Sequence, residues 1–218
     1  MVITEEHDSD VTASFELHVI SQGVGNLHNF VSISKDIWPW VDYIHIREKQ
    51  KSPEQRREWA NKLHQSGVPH HRIVVNGVLE VGQDEGFTGV HWGQADFSQS
   101  TTRSIGDMRK RIRIGVSVHS VDEAKAAEQQ GVDYVFFGHI YDSNSKPGIK
   151  PRGLKLLAEV CATVNVPVIA IGGIGIEHVR DLRNVGARGL AVISHIWASE
   201  HPIQAVSALK QAIVESEG

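Results

Sequence analysis

The sequence predicts a single (β/α)8 barrel, the TIM-barrel class. Three observations lead there. Eight short runs rich in β-branched and aromatic residues are spread along 218 residues, helical segments lie between them, and no Gly-x-Gly-x-x-Gly follows the first run. The last point weakens the alternative, a doubly wound sheet.

The expected strands, in order, are Leu17–Ser21, Tyr43–Arg47, Arg72–Val75, Gly89–Trp92, Arg113–Val118, Tyr134–Gly138, Pro167–Ile171 and Gly189–Ile193. Pro53 opens a helix at a position that tolerates proline, and Ser66-Gly67 closes it. Ser120 with Glu123 forms a capping box for a helix over Val121–Gln130, ended by Gly131. Further helices are expected over Leu154–Thr163, His178–Val185 and Ile203–Val214, with a short extra one over Ser194–Trp197. Residues 1–15 read as a polar, disordered leader and 16–218 as the barrel domain.

Composition excludes several functions. The net charge of −4 offers no electrostatic case for nucleic acid. No apolar run approaches the ~20 residues of a membrane span. The acidic start (Glu5, Glu6, Asp8, Asp10) lacks the positive region of a secretory signal. One cysteine, Cys161, precludes an internal disulfide and a multi-cysteine zinc site. A soluble cytoplasmic protein is expected. Trp38, Trp40 and Trp197 are candidates for a homo-oligomer patch or for helix packing.

Strand parity locates the chemistry. Side chains alternate faces along a strand. Ile44 and Ile46 share one face of the second strand; His45, Arg47 and Lys49 share the other. In the fifth strand the aliphatic Ile112, Ile114, Val116 and Val118 oppose Arg113, Gly115, Ser117 and His119. Aliphatic faces pack on helices, so the polar faces point inward. Buried charge is costly, which places these cations at the barrel mouth, where such active sites lie. Gly172-Gly173 after the seventh strand and Ser194–Trp197 after the eighth are the expected phosphate site.

Seven segments occur in a telling order: His45-Ile-Arg-Glu-Lys49, Val74–Gly77, His91–Asp96, Gly115–Ser120, Asp133–Tyr141, Pro167–Gly173 and Gly189–Ser194. This order resembles the thiamine-phosphate synthase superfamily over about residues 16–214, and the resemblance implies the same barrel. Two branches compete. A synthase joins a pyrimidine pyrophosphate to a thiazole phosphate. A TenI-like thiazole tautomerase, an isomerase, aromatises a carboxythiazole phosphate. The resemblance implies that a synthase carries a magnesium-binding Asp where Gly77 stands, and typically Gln where His45 stands. Asp96 matches the synthase's other metal ligand, and Ser143, Ser145 and Lys146 resemble its pyrophosphate loop. The Asn-Gly pair and Phe137-Gly138-His139 resemble tautomerases.

Weighting the missing carboxylate most, the expectation is a tautomerase of thiamine biosynthesis acting on a small phosphorylated thiazole without metal or other cofactor. In that reading His119 moves the proton and Arg47 shares the catalytic work. Lys49, Asn76, Ser117, Lys146, Gly173, Ile193 and Ser194 bind substrate. His139 is the second candidate for proton transfer and His91 is structural. The alternatives are the synthase itself and a non-catalytic binder of thiazole or thiamine phosphates.

Overall fold

The computed structural model describes residues 14–77, 88–97, 105, 112–143 and 145–217. Eight parallel strands close into a barrel in sequence order: β1 (Glu16–Ile20), β2 (Tyr43–Ile46), β3 (Ile73–Asn76), β4 (Gly89–Trp92), β5 (Arg113–Val118), β6 (Tyr134–Gly138), β7 (Val168–Ile171) and β8 (Gly189–Val192). Closure is made by β1 on β8, with Leu17 opposite Leu190 and Val19 opposite Val192. Every expected strand is present, within a residue at either end.

The helices among the described residues are α1 (Leu27–Ile37), α2 (Pro53–Gln65), α3 (Gln94–Phe97), α4 (Val121–Gln129), α5 (Gly153–Thr163), α6 (Val179–Asn184), α7 (Ser194–Trp197) and α8 (Pro202–Glu215). The sequence reading did not include α1 or α3. The first is capped by Asn26, whose side chain accepts from the Asn29 N–H at 2.8 Å, and buries Phe30, Ser34 and Ile37. Leu27, Val31 and Ile33 pack partly buried against the same core, so one side of the helix is apolar along its length. The Ser120 side chain caps α4 by accepting from the Glu123 N–H at 3.1 Å. The reciprocal half of the expected box differs: the Glu123 carboxylate accepts from the His119 N–H at 2.7 Å.

Parity holds around the barrel. Leu17, Val19, Ile44, Ile46, Ile114, Val116, Val135 and Phe137 belong to the core between strands and helices. A second, smaller cluster of Ile20, Tyr134, Phe136, Ile169 and Ala191 fills the barrel itself. Gly115 is required there, because a Cβ would overlap the Tyr134 ring.

The leader reading falls mostly outside the described residues; of its last two, Ser14 is exposed while Phe15 is buried, with the Arg183 guanidinium 4.8 Å from its ring. The tryptophans pack on the fold. Trp197 stacks on Phe30 at 5.5 Å and donates to the Ile20 carbonyl at 2.7 Å, and Trp38 and Trp40 lie half-buried against the outer core. No helix among the described residues is long and apolar enough to cross a membrane.

Candidate active site

Two polar layers line the barrel. In the deeper one, Arg113 Nη2 donates to both Glu16 carboxylate oxygens, at 2.9 and 3.0 Å. Its guanidinium lies 4.5 Å from the Tyr43 and the Tyr134 rings, a cation–π sandwich. Glu16 Oε2 is 2.9 Å from His18 Nε2, and His18 Nδ1 is 2.9 Å from His45 Nε2. His91 bridges the Tyr134 hydroxyl (3.2 Å) and Ser117 Oγ (2.9 Å). Phe136 packs on His18, His45 and His91, nearest to His91 at 4.2 Å.

This layer is built to stay neutral apart from one ion pair. Burial raises the Glu16 pKa, but His18 and Arg113 outweigh burial and hold the carboxyl below its usual range. Burial pushes His18 down and His45 well down, and takes His91 to about 3. His91 is therefore structural, as the sequence suggests. The inward parity expected for Arg113 holds, but its expected place with the cations at the mouth is corrected: it begins β5, at the far end of the barrel from the mouth, where Glu16 balances its charge. Glu16 and His18 were not singled out by sequence reading; the signal available was their shared parity on β1.

The second layer, at the mouth, is cationic. The Lys146 pKa is lowered by partial burial and then by Arg152, Arg47 and Lys49, so all three cations lie within electrostatic reach of it, while Glu48 acts on Arg47 in the opposite sense. Burial lowers His119 too, with Arg152 and Lys146 adding to the shift against the opposing Glu123. His119 Nδ1 lies 3.3 Å from Glu123 Oε2, which orients the half-exposed ring. Arg47 is fixed at its backbone, its N–H donating to Ser21 Oγ at 2.8 Å.

Lys146 rides a turn closed by its own N–H to the Ser143 carbonyl at 2.9 Å. Arg152, absent from the sequence-predicted set, donates from Nε to the Gly138 carbonyl at 2.7 Å. It stands just before α5, outside every segment that carried the resemblance. Its role follows only from the chain's return to the mouth after β6.

Asn76 ends β3. Arg56 Nη1 donates to its backbone carbonyl at 2.7 Å, while its side-chain Oδ1 is buried without a protein hydrogen bond. Ser117 sits between the layers, its hydroxyl already paired with His91. Gly172 and Gly173 have φ of +100° and +70°. Side chains there would collide with His139 Cβ and with the Asp142 carbonyl, so the pair lets the loop after β6 close against β7. Ile193 packs on the barrel's inner cluster, and Ser194 opens α7 beside it. His139 is turned from the mouth: its Nε2–H donates to the Ile149 carbonyl at 3.0 Å, so it braces the loop.

Closed parallel strands with a largely neutral inner layer and several cations near their C-terminal ends make this a barrel of the TIM class with its polar residues gathered at the mouth. The chain belongs to the thiamine monophosphate synthase family, whose model matches residues 21–196. It is 34% identical to the thiamine-phosphate synthase of Chlorobium phaeovibrioides over 174 residues, covering 79% of this chain and 81% of the relative. It is 39% identical to that of Chlorobium luteolum, covering 78% and 80%, and 37% identical to that of Methanocella arvoryzae, covering 79% and 82%. Among solved structures, a thiamine phosphate pyrophosphorylase from Pyrococcus furiosus superposes with a TM-score of 0.76 at 24% identity, covering 94% of this chain and 98% of that one. That likeness speaks for the fold.

The family places the chain among the enzymes of thiamine biosynthesis. The tautomerase expectation is corrected: these relatives are named synthases, which are transferases and not isomerases. That expectation rested chiefly on one missing carboxylate at Gly77. Similarity over about four-fifths of the chain outweighs a single position. Gly77 also bears on magnesium, which the family resemblance implies. A Cβ at Gly77 would lie 4.0 Å from Asp96 Oδ2 but 3.2 Å from Arg56 Nη1. Residue 77 thus adjoins Asp96, yet among the described residues a guanidinium occupies the place beside that carboxylate. Magnesium leans on one or two carboxylates and tolerates a neighbouring cation poorly. The described residues do not fit that metal, and no step below is routed through it.

Proposed function

We propose that this protein is a thiamine-phosphate synthase that joins a pyrimidine pyrophosphate to a thiazole phosphate. The supporting observation is the crowding of Lys146 by Arg152, Arg47 and Lys49. Like charges are held together at a cost that an anionic ligand removes, and two phosphorylated substrates bring several negative charges. In the reaction the thiazole nitrogen forms a bond to the pyrimidine methylene carbon. The carbon–oxygen bond to pyrophosphate breaks, and its electron pair leaves with the oxygen.

Charge therefore builds on the departing pyrophosphate, where Arg47, Lys49, Lys146 and Arg152 stabilise it more in the transition state than in the ground state. His119, neutral near pH 7 because burial and two cations disfavour its charged form, gives its one N–H, on Nδ1, to Glu123 and presents Nε2 to the mouth as a hydrogen-bond acceptor. Glu123 keeps the ring in place. Gly173, Ile193 and Ser194 hold the thiazole phosphate through backbone N–H groups. Asn76 and Ser117 contact the rings between the anion sites.

The test is release of pyrophosphate from the two substrates, followed with a coupled enzyme assay while the organic product is weighed by mass spectrometry. Thiamine phosphate and pyrophosphate are expected in equal amounts. Failure of both to appear, with either order of addition and with magnesium supplied, overturns the proposal.

A further inference from the structure

We infer that Arg56 takes over the place of a divalent cation at the end of β3, so that this chain receives pyrophosphate with a guanidinium and without magnesium. The inference starts from the disagreement at Gly77. The Gly77 N–H donates to the His91 carbonyl at 2.8 Å, which ties residue 77 to the end of β4. The space that a side chain at 77 would fill is bordered from two sides. Arg56 Nη1 lies 3.2 Å from the Cβ position and Asp96 Oδ2 lies 4.0 Å from it. Asp96 stands on α3, directly after β4, and Arg56 on the first turn of α2. Three elements meet at one point, and the cation brought there is an arginine.

Arg56 is fixed in this place at both ends. Its helix begins behind a complete capping box: the Gln55 N–H donates to Ser52 Oγ at 3.3 Å, and the Ser52 N–H donates to Gln55 Oε1 at 2.9 Å. At the far end of the side chain, Nη1 donates to the Asn76 carbonyl at 2.7 Å. Asp96 and Glu54 both favour the charged form of Arg56 against its partial burial. A guanidinium stays protonated in any such setting, so the positive charge beside Asp96 is permanent.

Charge balance argues for replacement and against simple loss. In the pattern that the family resemblance implies, two carboxylates hold one divalent ion, and their charges cancel. Here glycine removes one carboxylate, and the single negative charge left on Asp96 is balanced by a single guanidinium. A magnesium ion added to that pair would carry two surplus positive charges beside a fixed cation. The guanidinium also supplies what the ion would give pyrophosphate. It brings positive charge and a planar fork of N–H donors matched to phosphate oxygens. The choice of pyrophosphate as ligand rests on the synthase reading; the exchange of a metal for an arginine beside Asp96 does not.

Inorganic pyrophosphate is titrated calorimetrically into the full chain, once with EDTA and once with excess magnesium. Binding is expected in EDTA, and magnesium should tighten it less than about threefold. Arg56→Ala should weaken the binding in EDTA about 10- to 100-fold, the worth of one charge-assisted hydrogen bond. A second titration follows Mn²⁺, in place of magnesium and without pyrophosphate, by the loss of the free ion's paramagnetic resonance signal. The double variant Arg56→Ala/Gly77→Asp restores two carboxylates and removes the cation. It should bind Mn²⁺ at least tenfold more tightly than the wild type and should bind pyrophosphate only with magnesium. A merely structural arginine would not give that exchange. Wild-type binding of pyrophosphate that needs magnesium overturns the inference, as does no binding in either condition. So does binding in EDTA that Arg56→Ala leaves unchanged, or wild-type Mn²⁺ binding as tight as the double variant's. If the double variant does not fold, the wild type and Arg56→Ala in EDTA decide. Metal-free pyrophosphate binding by a chain that makes no thiamine phosphate leaves this inference standing and removes the synthase reading. Thiamine phosphate made only with magnesium does the reverse.

Discussion

The two polar layers of the barrel are made by the same strands and differ in how completely they satisfy themselves. On β2, His45 is sealed among aromatic rings, while Arg47, two residues on, shares the mouth with Lys49, Lys146 and Arg152. On β5, Arg113 is paired with Glu16 and stacked between tyrosines, while His119, just past the strand end, is half-exposed. Distance from the strand's C-terminal end decides which of two roles an inward polar residue takes. Deep in the barrel the histidines are enclosed and held neutral, and the Glu16–Arg113 pair at the strands' N-terminal ends balances its own charge. At the mouth water and ligands are available, and cations can be left unpaired for an anion to occupy.

The contrast breaks most sharply at Lys146. Lys146→Ala removes one of the crowded cations and should lower kcat/KM for pyrophosphate release by about 10²–10³-fold, measured in steady state, with the melting temperature almost unchanged. A loss of stability without a loss of rate would reverse the roles assigned to the layers. The opposite signature is expected from Gly115→Ala. Its methyl group would collide with the Tyr134 ring, so it should cost about 3 kcal/mol and lower Tm by roughly 6–12 °C, read by calorimetry.

Acid sharpens the same division. His91, at about 3 in the folded protein, lies below its unfolded value of 6.5, and His18 and His45 are shifted in the same direction. Between those values the unfolded chain binds protons that the folded one refuses, so stability falls as pH drops below about 6.5. His91 alone should contribute a loss of about 2 kcal/mol by about pH 5, at roughly 1.4 kcal/mol per pH unit. Urea unfolding across this range should show that slope, and His91→Gln should flatten it by one proton. The smallest effect belongs to His119. His119→Gln gives up one oriented hydrogen-bond acceptor at the mouth and should lower kcat about 5- to 10-fold, with the pH dependence of stability unaltered. A loss of several orders of magnitude would instead mark His119 as an essential proton carrier.

The mouth was more legible from the sequence than its wiring. Arg47, Lys49 and His119 could be placed by parity because charged residues alternating with isoleucine and valine can face only one way in a barrel strand. Lys146 came from its likeness to a loop motif. Arg152 and Arg56 were missed, since each reaches the site from a helix or its approach, where no alternation applies. His139 is legible by the same alternation: its parity is that of Val135 and Phe137, which face the helices, opposite the inward Tyr134 and Phe136. Its ring is turned from the mouth to the Ile149 carbonyl; that partner, ten residues on, is set by the path of the loop and not by the strand.

The sequence by itself determined the barrel. Eight β-branched runs, the capped helices between them and the consistent inward parity are local properties, each set by the chain's own periodicity and turns. Its motifs also determined the superfamily. Tertiary structure alone decided which inward histidine meets which partner. The chain from Arg113 through Glu16 and His18 to His45 joins residues up to 97 positions apart, brought together by barrel closure and strand register. The ion pair that anchors that chain needs a carboxylate from one strand and a guanidinium from another. Neither residue has a neighbour in sequence that would reveal the pairing, because the contact exists only once the sheet has closed on itself.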